Sequence, residues 1–204
     1  MNYCFKLNWL GHWSVGLLLL LVSSGSAAER PNILLIVSED NGPELGCYGD
    51  PYVKTPVLDG LAKRGVRFEN AYVPQAGCSQ SRAALLTGLY PHQNGQIGLA
   101  TWKFRMYRED TPNLIRQLKK AGYRTGILGK LHINPATAFP FDMQKISSAN
   151  FSRKKLVNYA KEAATFFQAA ETPFFLSVNY PDAHRPFIAR TGKLPARPLT
   201  GDDV

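Results

Sequence analysis

The stretch Asn32-Ile33-Leu34-Leu35-Ile36-Val37-Ser38-Glu39-Asp40 decides the fold of this chain of 204 residues. Its unbroken apolar run predicts a strand buried on both faces, as in a parallel sheet. The run ends directly in two carboxylates, Glu39 and Asp40. Ligands of open α/β sheets bind beyond the carboxyl ends of the strands, so this pair is a candidate site for Ca²⁺ or Mg²⁺. For the pair alone, an acidic turn in solvent is the simpler alternative.

Two further segments read as strands of the same kind. Residues 123–129 and 173–179 are rich in β-branched and aromatic residues, which is typical of strands. Each is followed at once by ionisable residues, as the first strand is. These are Lys130 and His132 after one strand, and Asp182, His184 and Arg185 after the other.

Helical patterns alternate with these strands. Thr-Pro pairs at 55–56 and 111–112 predict helix starts, and the apolar spacing over 152–170 predicts a long amphipathic helix. Residues 66–73 alternate as a half-buried strand would, and residues 143–151 read as a polar connection. This alternation predicts an α/β fold, a mostly parallel sheet flanked by helices with right-handed crossovers.

The segment Cys78-Ser79-Gln80-Ser81-Arg82-Ala83-Ala84-Leu85-Leu86-Thr87-Gly88 predicts a short helix with a thiol at its N-terminus. Ser79 or Ser81 can cap the helix, and Gly88 can end it in the left-handed conformation. Free N–H groups at a helix N-terminus favour an anion, and Arg82 adds a forked positive charge. The pattern suits a nucleophile beside an anionic substrate, or equally a buried structural cysteine.

Residues 1–28 read as a secretory signal peptide. Lys6 precedes the apolar run Leu17–Leu21, and Ser26-Ala27-Ala28 forms a small-residue cleavage site. The run is too short for stable membrane insertion. We therefore expect export to a periplasm or the exterior, or to a lysosome in a eukaryote. Of the three cysteines, Cys4 leaves with the signal, and a disulfide between Cys47 and Cys78 is the simple alternative to a chemical role for Cys78.

The net charge of the chain indicates which kind of partner it would bind. The formal net charge is +9 at pH 7, which favours anionic partners such as sulfated or phosphorylated molecules. The chain has no long run of Lys and Arg and no interleaving of basic and aromatic residues, which argues against nucleic acid.

The predicted sheet brings the ionisable groups together, because the carboxyl ends of parallel strands share one edge. Singly, each group has an ordinary explanation as a solvated side chain. Jointly, carboxylates, histidines, a lysine, an arginine and a cysteine at one edge favour metal-assisted transfer of an anionic group through a covalent intermediate.

At these residues the chain resembles the sulfatase family, which has the alkaline phosphatase-like fold. The resemblance rests on Cys78-Ser79-Gln80-Ser81-Arg82 with the Leu-Thr-Gly helix end, on Gly129-Lys130-Leu131-His132 and on Asp182-Ala183-His184. Among its branches, the heparan N-sulfatases are the most similar, through His92-Gln93-Asn94-Gly95 and residues 135–142.

The resemblance implies a chemistry for the cysteine. In this family the cysteine is oxidised by a maturation enzyme to formylglycine, whose hydrate attacks the sulfur of a sulfated carbohydrate. Arg82, Lys130 and a Ca²⁺ or Mg²⁺ ion held by Glu39, Asp40 and residue 78 would stabilise the charge. His132 would act as base and His184 as acid. Asp182 and Arg185 would contact the sugar.

The resemblance also concerns the extent of the chain. Family members carry a second metal-binding pair beyond the region that ends here at Val204, so residues 29–204 are expected to be the N-terminal part of a catalytic domain. Glu39 stands where the family usually has Asp. Two alternatives remain: a non-catalytic remnant that binds anionic glycans, and a cysteine hydrolase that pairs Cys78 with His132 or His184.

Overall fold

The computed structural model describes residues 30–147, 157–169, 171–181, 183 and 184. The chain divides into two compact units, Met1–Pro31 and Asn32–Val204, and the elements below belong to the second. The proposed signal peptide at 1–28 lies outside the described residues. Among the described residues, no helix is both long and apolar enough to cross a membrane.

Within the described part of the chain, four parallel strands form one sheet in the order β1-β4-β2-β3. The α/β fold is therefore confirmed. The strands are β1 (Ile33–Val37), β2 (Arg124–Gly129), β3 (Met143–Lys145) and β4 (Phe174–Asn179). The helices are α1 (Pro56–Arg64), α2 (Cys78–Thr87), α3 (Pro91–Asn94), α4 (Leu114–Lys120) and α5 (Val157–Gln168), with 3-10 turns at Gly46–Tyr48, Ala100–Trp102 and Ala136–Ala138.

The central strands β2 and β4 separate two apolar clusters, because successive side chains of a strand point to opposite faces. Ile127 and Phe175 join the cluster that includes Ala83 and Leu86 of α2. Leu128 and Leu176 join the cluster that contains Tyr159 and Phe166 of α5. Helices thus cover both faces of the centre of the sheet.

The first strand departs from its prediction. It forms over nearly the expected residues, but Leu34 and Ile36 are 49% and 56% exposed. Burial on both faces was therefore wrong for β1. Among the described residues β1 pairs only with β4, and no described element covers the face that carries these two side chains.

Two other expectations about strands were also wrong. Residues 66–73 form no strand and are exposed, because a strand needs a neighbour to satisfy its backbone groups and no described strand lies beside them. Conversely, β3 lies within the predicted polar connection at 143–151, where Met143–Lys145 pairs with Gly126–Leu128. A strand of three residues is too short for a periodic pattern to reveal.

The positions of the helix ends were predicted more accurately than the residues that cap them. Gly88 ends α2 in the left-handed conformation with φ of 70°, as predicted. The N-cap of α2, however, is Gly77, and neither Ser79 nor Ser81 caps it. The helix expected from Thr111 begins instead at Leu114, because the Asn113 side chain accepts the backbone N–H of Arg116. Of the helix expected over 152–170, Val157–Gln168 is described.

Candidate active site

The carboxyl ends of three strands are level with one another. Val37 of β1 pairs with Asn179 of β4, which pairs in turn with Gly129 of β2. Glu39 lies two residues beyond the first strand, and Lys130 directly follows the second. The register of the sheet therefore brings together side chains that are 91 residues apart in sequence.

Glu39 is the centre of this group. It is 4% exposed. Lys130 Nζ donates to its Oε1 at 2.7 Å, and Arg82 Nη2 donates to its Oε2 at 2.6 Å. Burial alone would raise the pKa of Glu39, but the hydrogen bond from Lys130 and the charge of Arg82 lower that pKa to about 2. The carboxylate is therefore ionised at neutral pH and holds both cations in place.

Arg82 is fixed by further acceptors. It is buried one turn into α2, and its Nη1 donates to the Lys130 carbonyl oxygen at 2.8 Å and to Asn179 Oδ1 at 2.7 Å. Together with the bond to Glu39, three acceptors from three segments hold the guanidinium. Such a group is preorganised, so it needs little rearrangement to stabilise charge that develops nearby.

Asn179 is a site residue that the sequence reasoning missed. It is buried at the end of β4, where Nδ2 donates to Ser177 Oγ at 3.0 Å and the carbonyl oxygen accepts from Tyr159 Oη at 3.1 Å. A signal existed. Ser177 and Asn179 are two polar residues at period two in a strand that is otherwise apolar, so they share one face.

Cys78 is the first residue of α2, whereas a cap at Ser79 or Ser81 would have placed it ahead of the helix, and it is free, as is Cys47. The disulfide alternative is therefore not realised. The Cys78 thiol lies against Glu39 and Lys130. Burial, and then the hydrogen bond with Glu39, raise the pKa of Cys78 above its ordinary value. The side chain is therefore a protonated thiol at neutral pH, which is a poor nucleophile.

Two histidines, His132 and His184, lie beside this group. His132 has a left-handed backbone with φ of 53°, and both its ring nitrogens are buried without a hydrogen-bond partner among the described residues. Burial and then the charges of Lys130 and Arg82 lower the pKa of His132 to about 4. Its imidazole is thus neutral at neutral pH and can accept a proton. His184 is half-buried and lies near Glu39 and Cys78.

The two residues of the predicted acidic pair, Glu39 and Asp40, lie in different surroundings. Glu39 points inward, whereas Asp40 is exposed and has a left-handed backbone with φ of 53°. Both residues line a cleft of about 560 Å³, together with Cys78 and Arg82. The predicted sugar-binding residues Asp182 and Arg185 lie outside the described residues.

The family resemblance implies a bound divalent cation, and the described side chains near Glu39 include possible ligands for it. One ligand atom each from Glu39, Cys78 and His184 lie within 4.8 Å of one another. Ca²⁺ takes roughly six to eight oxygen ligands. Glu39 offers oxygen to such an ion, Asp40 is exposed and is not one of these three residues, and Cys78 would fit the ion only after its sulfur is replaced by oxygen.

Known protein sequences are similar to most of this chain. Residues 31–198 match the sequence profile of the Sulfatase family. Human N-sulphoglucosamine sulphohydrolase is 39% identical over 178 residues, which cover 81% of this chain and 34% of that protein. The ulvan-active sulfatase of Formosa agariphila is 32% identical over 167 residues, covering 79% and 32%. The chain thus spans about a third of the length of these curated relatives.

Solved structures agree on the fold. Ps i-CgsB in complex with k-i-k-neocarrahexaose superposes with a TM-score of 0.66 at 28% identity, covering 79% of this chain and 47% of that one. BT1596, a 2-O GAG sulfatase, superposes with a TM-score of 0.62 at 25% identity, covering 82% and 42%.

Proposed function

The chain belongs to the sulfatase family, and we propose from this premise that its protein hydrolyses sulfuric esters or sulfamates with a formylglycine derived from Cys78. The observation that carries this proposal is the position of Cys78. It begins a helix at the rim of a cleft, against a buried Glu39 that is bonded to both Arg82 and Lys130. Because the chain spans about a third of its curated relatives, the proposal concerns the whole protein.

Arg82 and Lys130 supply fixed positive charge at the reacting group. Lys130 is 4% exposed and directed by Glu39, and Arg82 is directed by Glu39 and Asn179. Neither cation has to be desolvated or reoriented when a sulfate binds, so their attraction for a sulfuryl group is strong. They also orient the group at residue 78.

The two histidines divide the proton transfers. The lowered pKa of His132, about 4, keeps its ring neutral and able to take a proton from a hydroxyl at residue 78. His184 lies within 4.8 Å of both Cys78 and Glu39, and we assign it the protonation of the leaving oxygen or nitrogen. A neutral base and a separate acid are what such a hydrolysis requires.

Two groups would complete the site. A formylglycine at position 78 would supply a hydrated aldehyde as nucleophile, and a Ca²⁺ ion, with Mg²⁺ as the alternative, would offset negative charge on the sulfate when held by Glu39, Asp40 and residue 78. The hydrate offers oxygen in place of sulfur, which suits a hard cation.

The proposed substrate is a sulfated glycan of the heparan type, such as one ending in N-sulfoglucosamine. The name of the human relative, N-sulphoglucosamine sulphohydrolase, and the basic charge balance support this choice. A cleft of about 560 Å³ has the volume of an ordinary small-ligand site. Asp182 and Arg185 are proposed to bind the sugar. The protein would be exported and would meet a formylglycine-generating enzyme on the way.

The test combines mass spectrometry with sulfate release. The protein is purified from its native host, the peptide that contains residue 78 is weighed, and sulfate release is measured on N-sulfated and O-sulfated glucosamine. We expect a thiol-to-aldehyde mass change at residue 78 and sulfate release that Cys78→Ala abolishes. Cys47→Ser is the matched control and should keep both.

Two outcomes would contradict the proposal. Sulfate release that persists in Cys78→Ala would exclude residue 78 as the working group. An unmodified thiol together with no sulfate release would instead support the alternative, a non-catalytic protein that at most binds anionic glycans.

A further inference from the structure

We propose that the chain with an unmodified Cys78 binds a thiophilic divalent metal ion of the zinc class through Cys78, Glu39 and His184. Thiolate sulfur, carboxylate oxygen and imidazole nitrogen are the ligands that Zn²⁺ takes in proteins. Soft sulfur ligands select such ions over Ca²⁺ and Mg²⁺. This site concerns the chain before any oxidation of Cys78, so it does not depend on the proposed hydrolase activity.

The spacing of the ligand atoms carries the proposal. One atom from each of the three side chains lies within 4.8 Å of the others. Tetrahedral bonds of about 2.0–2.3 Å would separate pairs of ligands by roughly 3.3–3.8 Å. Movements of about 1 Å in the side chains would therefore close the site around an ion. Three protein ligands leave a fourth position for water.

The backbone holds the three ligands near one another. Glu39 follows β1, Cys78 begins α2, and His184 follows β4. The backbone N–H of Ala183 donates to the Glu39 carbonyl oxygen at 2.6 Å, and that of His184 donates to the Pro181 carbonyl oxygen at 2.9 Å. These bonds fasten the segment that carries His184 to the segment that carries Glu39. The site is thus built from described backbone contacts and not from one flexible loop.

Two neighbouring cations limit how tightly an ion can bind. Lys130 and Arg82 both donate to Glu39, so they compete for its oxygens and repel a divalent ion. When the ion binds, the S–H bond of Cys78 breaks, its proton goes to solvent and a sulfur–metal bond forms, with no change of oxidation state. The thiolate charge offsets part of the repulsion. We expect weaker binding than in a closed structural zinc site.

Cobalt(II) is a suitable probe because its thiolate complexes absorb light, whereas those of zinc do not. The full chain is produced without a maturation enzyme, an unmodified residue 78 is verified by mass, and CoCl₂ is titrated under reducing conditions. We expect a sulfur-to-cobalt charge-transfer band that ZnCl₂ displaces and CaCl₂ does not. Cys78→Ser should remove this band and weaken binding at least about tenfold.

Cys47→Ser provides the matched control, because Cys47 is the other free, half-buried cysteine. It should leave the band and the affinity unchanged. His184→Gln should weaken cobalt binding while circular dichroism shows that the fold is kept. Absence of the band in the folded chain, its persistence in Cys78→Ser, or its loss in Cys47→Ser would overturn the proposal. None of these results would bear on sulfate release by the matured protein.

Discussion

Helices α1 and α2 are nearly equal in length, yet their surroundings are opposite. The nine residues of α1 have a clear apolar side, but none of them is buried. Val57 and Leu61 on that side are 82% and 58% exposed. The ten residues of α2 lack a clear apolar side, but six of them are buried, including Ser79, Gln80 and Arg82.

The difference shows that amphipathic pattern and burial are separate properties. An apolar face is buried only where another element covers it, and the 3-10 turn Gly46–Tyr48, which contacts α1, leaves the apolar side of α1 exposed. A polar side chain is buried where partners satisfy it. Ser79 Oγ accepts the backbone N–H of Ala100, and Arg82 has three acceptors. The polar contacts of the site, together with the apolar packing of Ala83 and Leu86, account for the burial of α2.

The strongest test of this comparison replaces one arginine in each helix. Arg82→Met should lower the free energy of unfolding by about 3–5 kcal/mol, because it removes one partner of a buried ion pair and leaves Asn179 Oδ1 without its donor. Arg64→Met, at an exposed position of α1, should change it by less than about 0.5 kcal/mol. Urea denaturation of the two variants measures both values. Equal losses would mean that the contacts of Arg82 do not stabilise the fold.

A second test uses the histidine that lies near α2. The pKa of His132 is about 4 in the folded chain and about 6.5 in an unfolded one. Between these values the unfolded state binds more protons, so stability should fall as the pH is lowered through this window and level off below it. Allowing for partial exposure, we expect a loss of about 2 kcal/mol.

The matched variants are His132→Asn and His92→Asn. Asparagine tolerates the left-handed backbone at position 132, so the first should flatten the loss between pH 6.5 and 4 without a change of fold. His92 is exposed in α3, and its replacement should leave the curve as it is. Denaturation midpoints of the unaltered protein and both variants are measured across this pH range. If stability falls equally with pH in all three proteins, His132 is not the cause of the loss.

The smallest expected effect concerns the glycines that end the two helices. Gly88 ends α2 with φ of 70°, whereas Gly65 ends α1 with φ of −119°. Gly88→Ala should therefore cost about 1–2 kcal/mol through the left-handed backbone. Gly65→Ala meets the Leu61 carbonyl oxygen at 3.3 Å and should change stability by less than about 0.5 kcal/mol. Thermal melting measures the loss of stability in both variants, and a larger loss for Gly65→Ala than for Gly88→Ala would contradict this prediction.

The sequence predicted the elements of the sheet that have strong local patterns. The strands at 33–37 and 174–179 are mostly apolar, the strand at 124–129 has only Ile127 and Leu128 as large apolar residues, and the alternation of strands with helices was enough to predict a parallel α/β sheet. Burial was less predictable, because it depends on neighbours far along the chain. The exposed face of β1 at Leu34 and the exposed strand-like pattern at 66–73 show this limit.

Several residues of the candidate site could be predicted from the sequence, but their geometry could not. Cys78, Arg82 and Lys130 do meet, because the register of parallel strands places their ends together. The sequence could not show that Glu39 turns inward and Asp40 outward, since this depends on one left-handed residue. Asn179 was missed because its role depends on a hydrogen bond from the distant Arg82 to its Oδ1, and the sequence of the strand does not reveal that contact.

The hydrogen bonds of Arg82 also bear on the order in which parts of the chain fold. They join residues 43 positions apart at Glu39 and 97 positions apart at Asn179. Contacts between such distant residues require the closure of long loops, and folds that depend on them form slowly. Until β1, β2 and β4 have paired, the three acceptors of Arg82 are not assembled, and Cys78 does not yet lie beside Glu39. An enzyme that needs an open approach to this cysteine would therefore reach it most readily before these strands pair.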